Sequence, residues 1–284
     1  MRTTVLVLLS LLAAPVWAQV DVESVPVPET HPASFNINSF GGLHFTNKIK
    51  VPKGRRGLEP DLALSYTSGQ NNGVAGLGWS LPVLSVDQKD GFQQRFFVGG
   101  TELVWDASRN GFVKKVTDFS TFSFNGQSWT CLTREGLVME FGATSDSKLS
   151  NSDGRTARWF VSRVTDSNGN YISYEYRNYG QPLIHTIRYT GHPNLAPYYA
   201  VRFYYENRPD PVRSVETGFL TVLSARLKTI QVAAGDQNVR AYTLNYATSP
   251  HTHRSLLQSV TEFGSDVKVD VNGVCTGSSL PPVI

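Results

Sequence analysis

The sequence predicts an all-β chain of antiparallel hairpins and meanders, and three observations carry that expectation. Its 12 Tyr, 15 Phe and 5 Trp are spread through short segments with few runs at helical spacing. Those segments alternate large apolar residues with small or polar ones, the period of a half-buried strand. They are separated by Gly, Asn and Asp, and Asn-Gly pairs supply the positive φ that tight hairpin turns require. With 284 residues and a charged fraction of 17%, the chain is long enough for one large or two small domains with a core of their own.

Residues 1–18 stand apart from that fold. Arg2 precedes an apolar run over 5–14, and Val16, Trp17 and Ala18 end on the small residue a signal peptidase accepts. A cleaved signal peptide implies export, hence a secreted, periplasmic or cell-surface protein. No later segment supplies the apolar length of a spanning helix, so no membrane span is expected after cleavage. Residues 19–34 carry Pro26, Pro28 and Pro32 among polar neighbours and read as an extended linker, and the folded domain is expected over 35–284.

The domain is organised around 50–82. Leu62, Leu64 and Tyr66 alternate with Ala63 and Ser65 as a strand, between Gly54 and Gly57 on one side and Gly73, Gly76 and Gly78 on the other. Glycines so closely spaced suit sharp turns and close backbone approach. Trp79 is expected to be buried over the turns of Gly73, Gly76 and Gly78, fixing how the first strands enter the sheet.

Short strands are then predicted at 84–86, 94–98, 102–105, 112–116, 119–124, 129–133 and 137–141, an antiparallel meander. Residues 143–157 are rich in Ser, Asp and Asn and read as a surface loop. The second half repeats a looser unit of two alternating strands around a polar turn. It is clearest where 160–164 meets Asp166-Ser167-Asn168-Gly169-Asn170 and returns as Tyr171-Ile172-Ser173-Tyr174-Glu175-Tyr176, with Asn168 and Gly169 expected as a two-residue hairpin turn. The same layout recurs at 184–189 with 199–205, and at 227–232 with 241–246.

The turn at Pro52, Gly54 and Arg55, the Leu62-x-Leu64-x-Tyr66 strand and the ending Gly76-x-Gly78-Trp79-Ser80-Leu81 resemble the amino-terminal domain of the Salmonella virulence plasmid B-protein (SpvB) family. That domain also begins the B component of bacterial toxin complexes and many Rhs or YD-repeat proteins. The resemblance runs from about Phe40 to the carboxyl terminus. It implies a curved, shell-like sheet of hairpins joined edge to edge, a non-catalytic structural role in a casing that encloses a toxic cargo, and YD-repeat or toxin-complex partners in cis or in trans. With no repeat array or cargo domain before Ile284, a fragment of a longer chain and a solitary domain with a separately encoded partner are both open.

Chemical motifs are sparse. Asp166, Asn168 and Asn170 have the spacing that begins a calcium loop, but Arg177 stands where the bidentate glutamate belongs. His251 and His253 supply two imidazoles, too few for a zinc site. No Gly-x-Ser-x-Gly elbow, phosphate loop or paired-Cys spacing occurs, and the Glu-x-Glu signature of SpvB's separate ADP-ribosylating domain is missing. No catalytic residue, cofactor or metal is therefore expected. Glu206 to Asp210, a further landmark of the family, reads as a strand end fixed by a charge pair. A net charge of +3 with scattered basic residues argues against nucleic acid, and Lys53, Arg55 and Arg56 read as a solvated turn. Cys131 and Cys275 are too few for a disulfide framework, and their spacing leaves pairing open. Against the structural reading stand a carbohydrate- or surface-binding module using exposed aromatic faces, and a glycosidase using two of the scattered carboxylates.

Overall fold

Hairpin after hairpin, the chain builds almost nothing but antiparallel strands, as its alternation dictates. The computed structural model describes residues 33–37, 42–89, 95–116 and 118–282, and residues 31–284 form one compact unit. The expected signal peptide and nearly all of the expected linker lie outside the described residues. The first described strand begins at Ala33, inside the segment read as linker.

The opening strands are β1 (Ala33–Ile37), β2 (Leu43–Ile49), β3 (Leu62–Thr67), β4 (Asn72–Gly73), β5 (Gly76–Leu77) and β6 (Trp79–Ser80). Strands β1, β2, β3 and β6 make a small sheet in that order, while β4 and β5 pair only with each other. Next come β7 (Ser85–Lys89), β8 (Arg95–Val98), β9 (Thr101–Asp106), β10 (Gly111–Lys114), β11 (Thr121–Phe124), β12 (Trp129–Leu132), β13 (Val138–Phe141), β14 (Lys148–Ser150) and β15 (Thr156–Thr165). Strands β7 to β13 pair in sequence. Then β15 pairs with both β7 and β13, which closes eight strands into a ring. Closure removes the free edges that an open meander of this length would expose.

The ring's inward face is aromatic. Phe96, Phe122, Trp129, Phe141 and Trp159 are buried, and they alternate with outward residues such as Ser123, Thr130 and Leu132. From β15 the sheet continues through β16 (Tyr171–Asn178), β17 (Pro182–Gly191), β18 (Tyr199–Ser214), β19 (Thr221–Ala234), β20 (Gln237–Thr248) and β21 (Ser255–Phe263). The result is a curved, shell-like antiparallel sheet of fifteen strands, counting β14 on the side of β15. A last small hairpin joins β22 (Lys268–Val269) to β23 (Cys275–Thr276).

Two local expectations need correcting. Residues 143–157 are not all loop: a 3-10 turn at Ser145–Ser147 leads into β14, because Leu149 is buried against β15 and the Ser147 hydroxyl caps its own turn by donating to Thr144 O. The turn before β16 is a three-residue loop over Ser167, Asn168 and Gly169 rather than a two-residue one. Gly169 alone has positive φ, at 81°, and its N–H bonds Asp166 O at 3.0 Å. The reason is the Asp166 carboxylate, which accepts from the N–H groups of Asn168 and Asn170 and from the Asn170 amide, at 2.8, 2.9 and 2.8 Å. These bonds, set against burial, hold Asp166 below the usual carboxylate range and use the oxygens that a calcium loop would need.

Candidate functional site

The most heavily built polar site joins the glycine-rich segment to the long sheet. Residues 50–78 cross one face of β17 to β21, held mainly by main-chain contacts. Lys50 N–H donates to Tyr242 Oη at 3.1 Å, Tyr189 Oη donates to Pro52 O at 3.0 Å, and Arg55 Nε donates to Thr190 O at 3.0 Å. Further on, Leu227 N–H donates to Val74 O at 2.8 Å, and Ala75 is fully buried.

Glycine is required where this backbone meets other backbone. A Cβ on Gly73 would stand 2.0 Å from Trp79 O, and one on Gly76, at φ 97°, would stand 2.8 Å from Ser255 O. Gly54 is as tightly placed, its Cβ position 1.9 Å from Leu58 O, in a turn where Arg56 and Gly57 both have positive φ. Gly78 lies beneath the Tyr66 ring, so Tyr66 covers this turn, and Trp79 contributes its carbonyl against Gly73 instead. The Trp79 side chain is buried between its cross-strand neighbours, 5.4 Å from Tyr66 and 5.8 Å from Phe45 by ring centroids.

At the centre lies Arg208, whose side chain is completely buried. Its Nη1 donates to Gly73 O at 3.1 Å and its Nη2 to Asn72 Oδ1 at 2.7 Å, while its Nε donates to Asp210 Oδ1 at 3.1 Å. Asp210 also accepts from Asn72 Nδ2 at 2.6 Å, Ser255 N–H at 2.6 Å and Ser255 Oγ at 2.7 Å. Arg226 extends the network, donating to Ser255 Oγ at 2.9 Å and Glu206 Oε1 at 2.6 Å. Burial works against the Asp210 charge, yet the bonds from Arg208, Ser255 and Asn72 hold its carboxyl well below the usual carboxylate range. Four separate places in the chain (72–73, 206–210, 226 and 255) thus meet in one clasp. The charge pair expected at Glu206 to Asp210 exists and is buried, but it stands inside β18 rather than at a strand end.

Beside the clasp opens a cavity of about 1300 Å³, lined in part by Asn72, Tyr176, Tyr205, Asp210, Arg213 and Arg254. Tyr176, Tyr205 and Tyr246 share one device along the sheet: each hydroxyl donates to a carbonyl on a neighbouring strand, Val161 O, Ile184 O and Leu227 O respectively. Burial pushes all three hydroxyls well above their ordinary range, so they act as fixed donors and not as acids. Asn72, Ser255 and Arg226 were not distinguishable from the sequence. The only pointer was a charged Arg-x-Asp step inside an otherwise alternating strand.

The family described as Salmonella virulence plasmid 65kDa B protein matches residues 38–93 and 111–221, more than half of the chain. The chain belongs to the SpvB family. Its fold is that of the amino-terminal domain of effector protein SpvB from Salmonella typhimurium strain LT2, with a TM-score of 0.67 at 17% identity over 76% of this chain and 98% of that one. A TcdB2-TccC3 structure matches with a TM-score of 0.70 at 18% identity, over 89% of this chain and 16% of that chain. The Photorhabdus luminescens Tc holotoxin pore matches with a TM-score of 0.71 at 19% identity, over 88% and 16% respectively. This SpvB-family chain therefore spans about a sixth of the toxin-complex chains it matches. No curated protein matches at a significant level.

The remaining candidates fall outside the clasp. Asn168 and Gly169 sit at the β15–β16 turn, and Gly57 at the 55–58 turn. His251 and His253 are exposed, and no group of three or more metal-ligating side chains occurs among the described residues. Cys131 and Cys275 are free thiols. No helix among the described residues is long and apolar enough to cross a membrane.

Proposed function

We propose that this SpvB-family chain is a non-catalytic structural module of an exported, toxin-related protein, lending β-sheet to a shell that encloses or presents a cargo. The observation that carries the reading is the continuous sheet, one end rolled into a closed ring and the other held in shape by the buried clasp. A shell needs unbroken backbone pairing and a rigid wall, and both come here from main-chain bonds and buried networks. The saturation of Asp210 supports the non-catalytic reading. Both Asp210 oxygens already receive donors, so this carboxylate is not free to act as base or nucleophile in the adjacent cavity. Toxin-complex or YD-repeat polypeptides are the partners that fit, joined in the same chain or bound to it.

The test is co-expression of the full chain with the polypeptides encoded beside it, followed by size-exclusion chromatography and limited proteolysis. Co-elution, with protease protection of a partner segment, is the expected result. Saturable binding to a glycan array without any co-eluting polypeptide would replace the shell with a carbohydrate-binding module. Export is checked on the same preparation, where the mature amino terminus is expected at Gln19.

A further inference from the structure

The ring of β7 to β13 and β15 carries a second cavity at its mouth, of about 600 Å³. That volume suits a small organic ligand, and the mouth of a β-barrel is a frequent place for one. Phe96, Phe112, Phe124 and Trp159 line it, with fully buried Trp129 behind them. The rings lock one another: Trp159 meets Phe124 at 5.6 Å and Phe96 at 6.0 Å, both edge to face, and Trp129 stacks on Phe124 at 4.6 Å. Trp159 is fixed further by donating its indole N–H to Gln127 O at 2.9 Å. Gly142 backs it so closely that a Cβ there would lie 2.3 Å from the indole. The aromatic wall is therefore set before any ligand arrives.

The rim decides which ligand. Lys148 stands opposite Trp159 in the β14–β15 ladder, so the two side chains project to the same face. Arg155 also lines the cavity. Its Nη2 donates to Thr217 O at 2.8 Å, but its Nε–H is buried without an acceptor. Among the described residues no carboxylate pairs with Lys148 or Arg155, and none lines the cavity. An aromatic cage alone would favour a cation, whereas two unpaired cations on its rim repel one. The cationic rim calls instead for an anionic group on the ligand.

We propose that the barrel mouth is a binding site for a small aromatic carboxylate, its ring against Phe96, Phe124 and Trp159 and its carboxylate on Lys148 and Arg155. The site shares no residue with the clasp. Titration of the full chain with 2-naphthoate, followed by calorimetry and by tryptophan fluorescence, tests it beside the neutral isostere 2-naphthamide. Saturable naphthoate binding is expected, with naphthamide about tenfold weaker because it lacks the charge-assisted bonds. Lys148→Met should weaken naphthoate several-fold, leave naphthamide unchanged and leave the unfolding midpoint in place. No naphthoate binding, or equal affinity for both probes in the wild-type chain, would overturn the proposal, as would a Lys148→Met variant that binds naphthoate normally.

Discussion

Replacing Asp210 with Ala tests the clasp at its most exposed point in energy terms. The substitution leaves the Arg208 guanidinium, whose side chain has no solvent exposure, without its counter-charge. It also strips acceptors from Asn72 Nδ2, Ser255 N–H and Ser255 Oγ. Breaking a buried ion pair by removing one partner costs about 3–5 kcal/mol, because the surviving charge stays desolvated. Urea unfolding at neutral pH should show that loss as a lower midpoint at unchanged slope. Adding Arg208→Met to Asp210→Ala should recover part of it, since the orphaned charge is then gone. As a control, Glu175→Gln, which breaks the half-exposed Arg188–Glu175 pair, should barely move the midpoint. A loss below about 1 kcal/mol for Asp210→Ala would refute the clasp as a stabilising element. The same bonds set a pH dependence. Asp210 is depressed in the folded chain, so its contribution is complete above the unfolded carboxylate value of about 3.9 and declines as pH falls below it. Asp210→Ala should therefore be less acid-sensitive than the parent chain over that range.

Three further outcomes follow from local geometry. Gly54→Ala, whose methyl would stand 1.9 Å from Leu58 O, should cost about 1–3 kcal/mol in denaturant unfolding, as overpacking against backbone does. Gly169→Val should cost about 1–3 kcal/mol through its positive φ alone, because the nearest atom to the new Cβ is 3.5 Å away, and Gly169→Asn should recover most of that loss. Burial pushes the Cys131 thiol up to about 11, so an aromatic disulfide reagent should leave it unmodified at pH 8 in the folded chain and react fully in urea.

How far the sequence disclosed this molecule depended on the range of each interaction. The meander strands after the first are legible to within two residues because alternation is a local signal, so β10 and β11 overlap 112–116 and 119–124, whereas β7 runs on to Lys89, three residues past 84–86. The turns are less legible, since Gly111 opens β10 with only Asn110 at positive φ, and Gly126 alone turns at 125–126. The strand β14 was hidden because its polar composition outweighed one buried leucine, Leu149. The loop at Ser167 to Gly169 was misjudged in length because the Asp166 carboxylate, and not the Asn-Gly pair, sets its geometry. Closure of the ring by β13 on β15 has no local signature, being a register between two strands that each read as ordinary hairpin members. Asn72 and Ser255 were invisible for the same reason: Asn72 meets Arg208 from 136 positions away, and Ser255 meets Asp210 from 45.

That division between local and long-range signals bears on why the glycine-rich segment organises the chain. Between Asn72 and Gly76 it carries no large apolar side chain, yet Gly73, Val74 and Gly76 bring main chain into contact with β18, β19 and β21 at once. A Cβ at Gly76 would meet the Ser255 carbonyl of β21 and one at Gly73 would meet Trp79 O, so a side chain at either point would displace the loop that offers Arg208 the Gly73 carbonyl. The buried charge and the glycines therefore depend on each other. Arg208 is tolerable in the interior only because the Gly73 carbonyl, the Asn72 side-chain amide and the Asp210 carboxylate all reach it, the first two carried there by a loop that fits only with glycine at 73 and 76. The clasp thereby ties β18, β19 and β21 to one loop through buried bonds, and a rigid wall of that kind is what the proposed shell module requires.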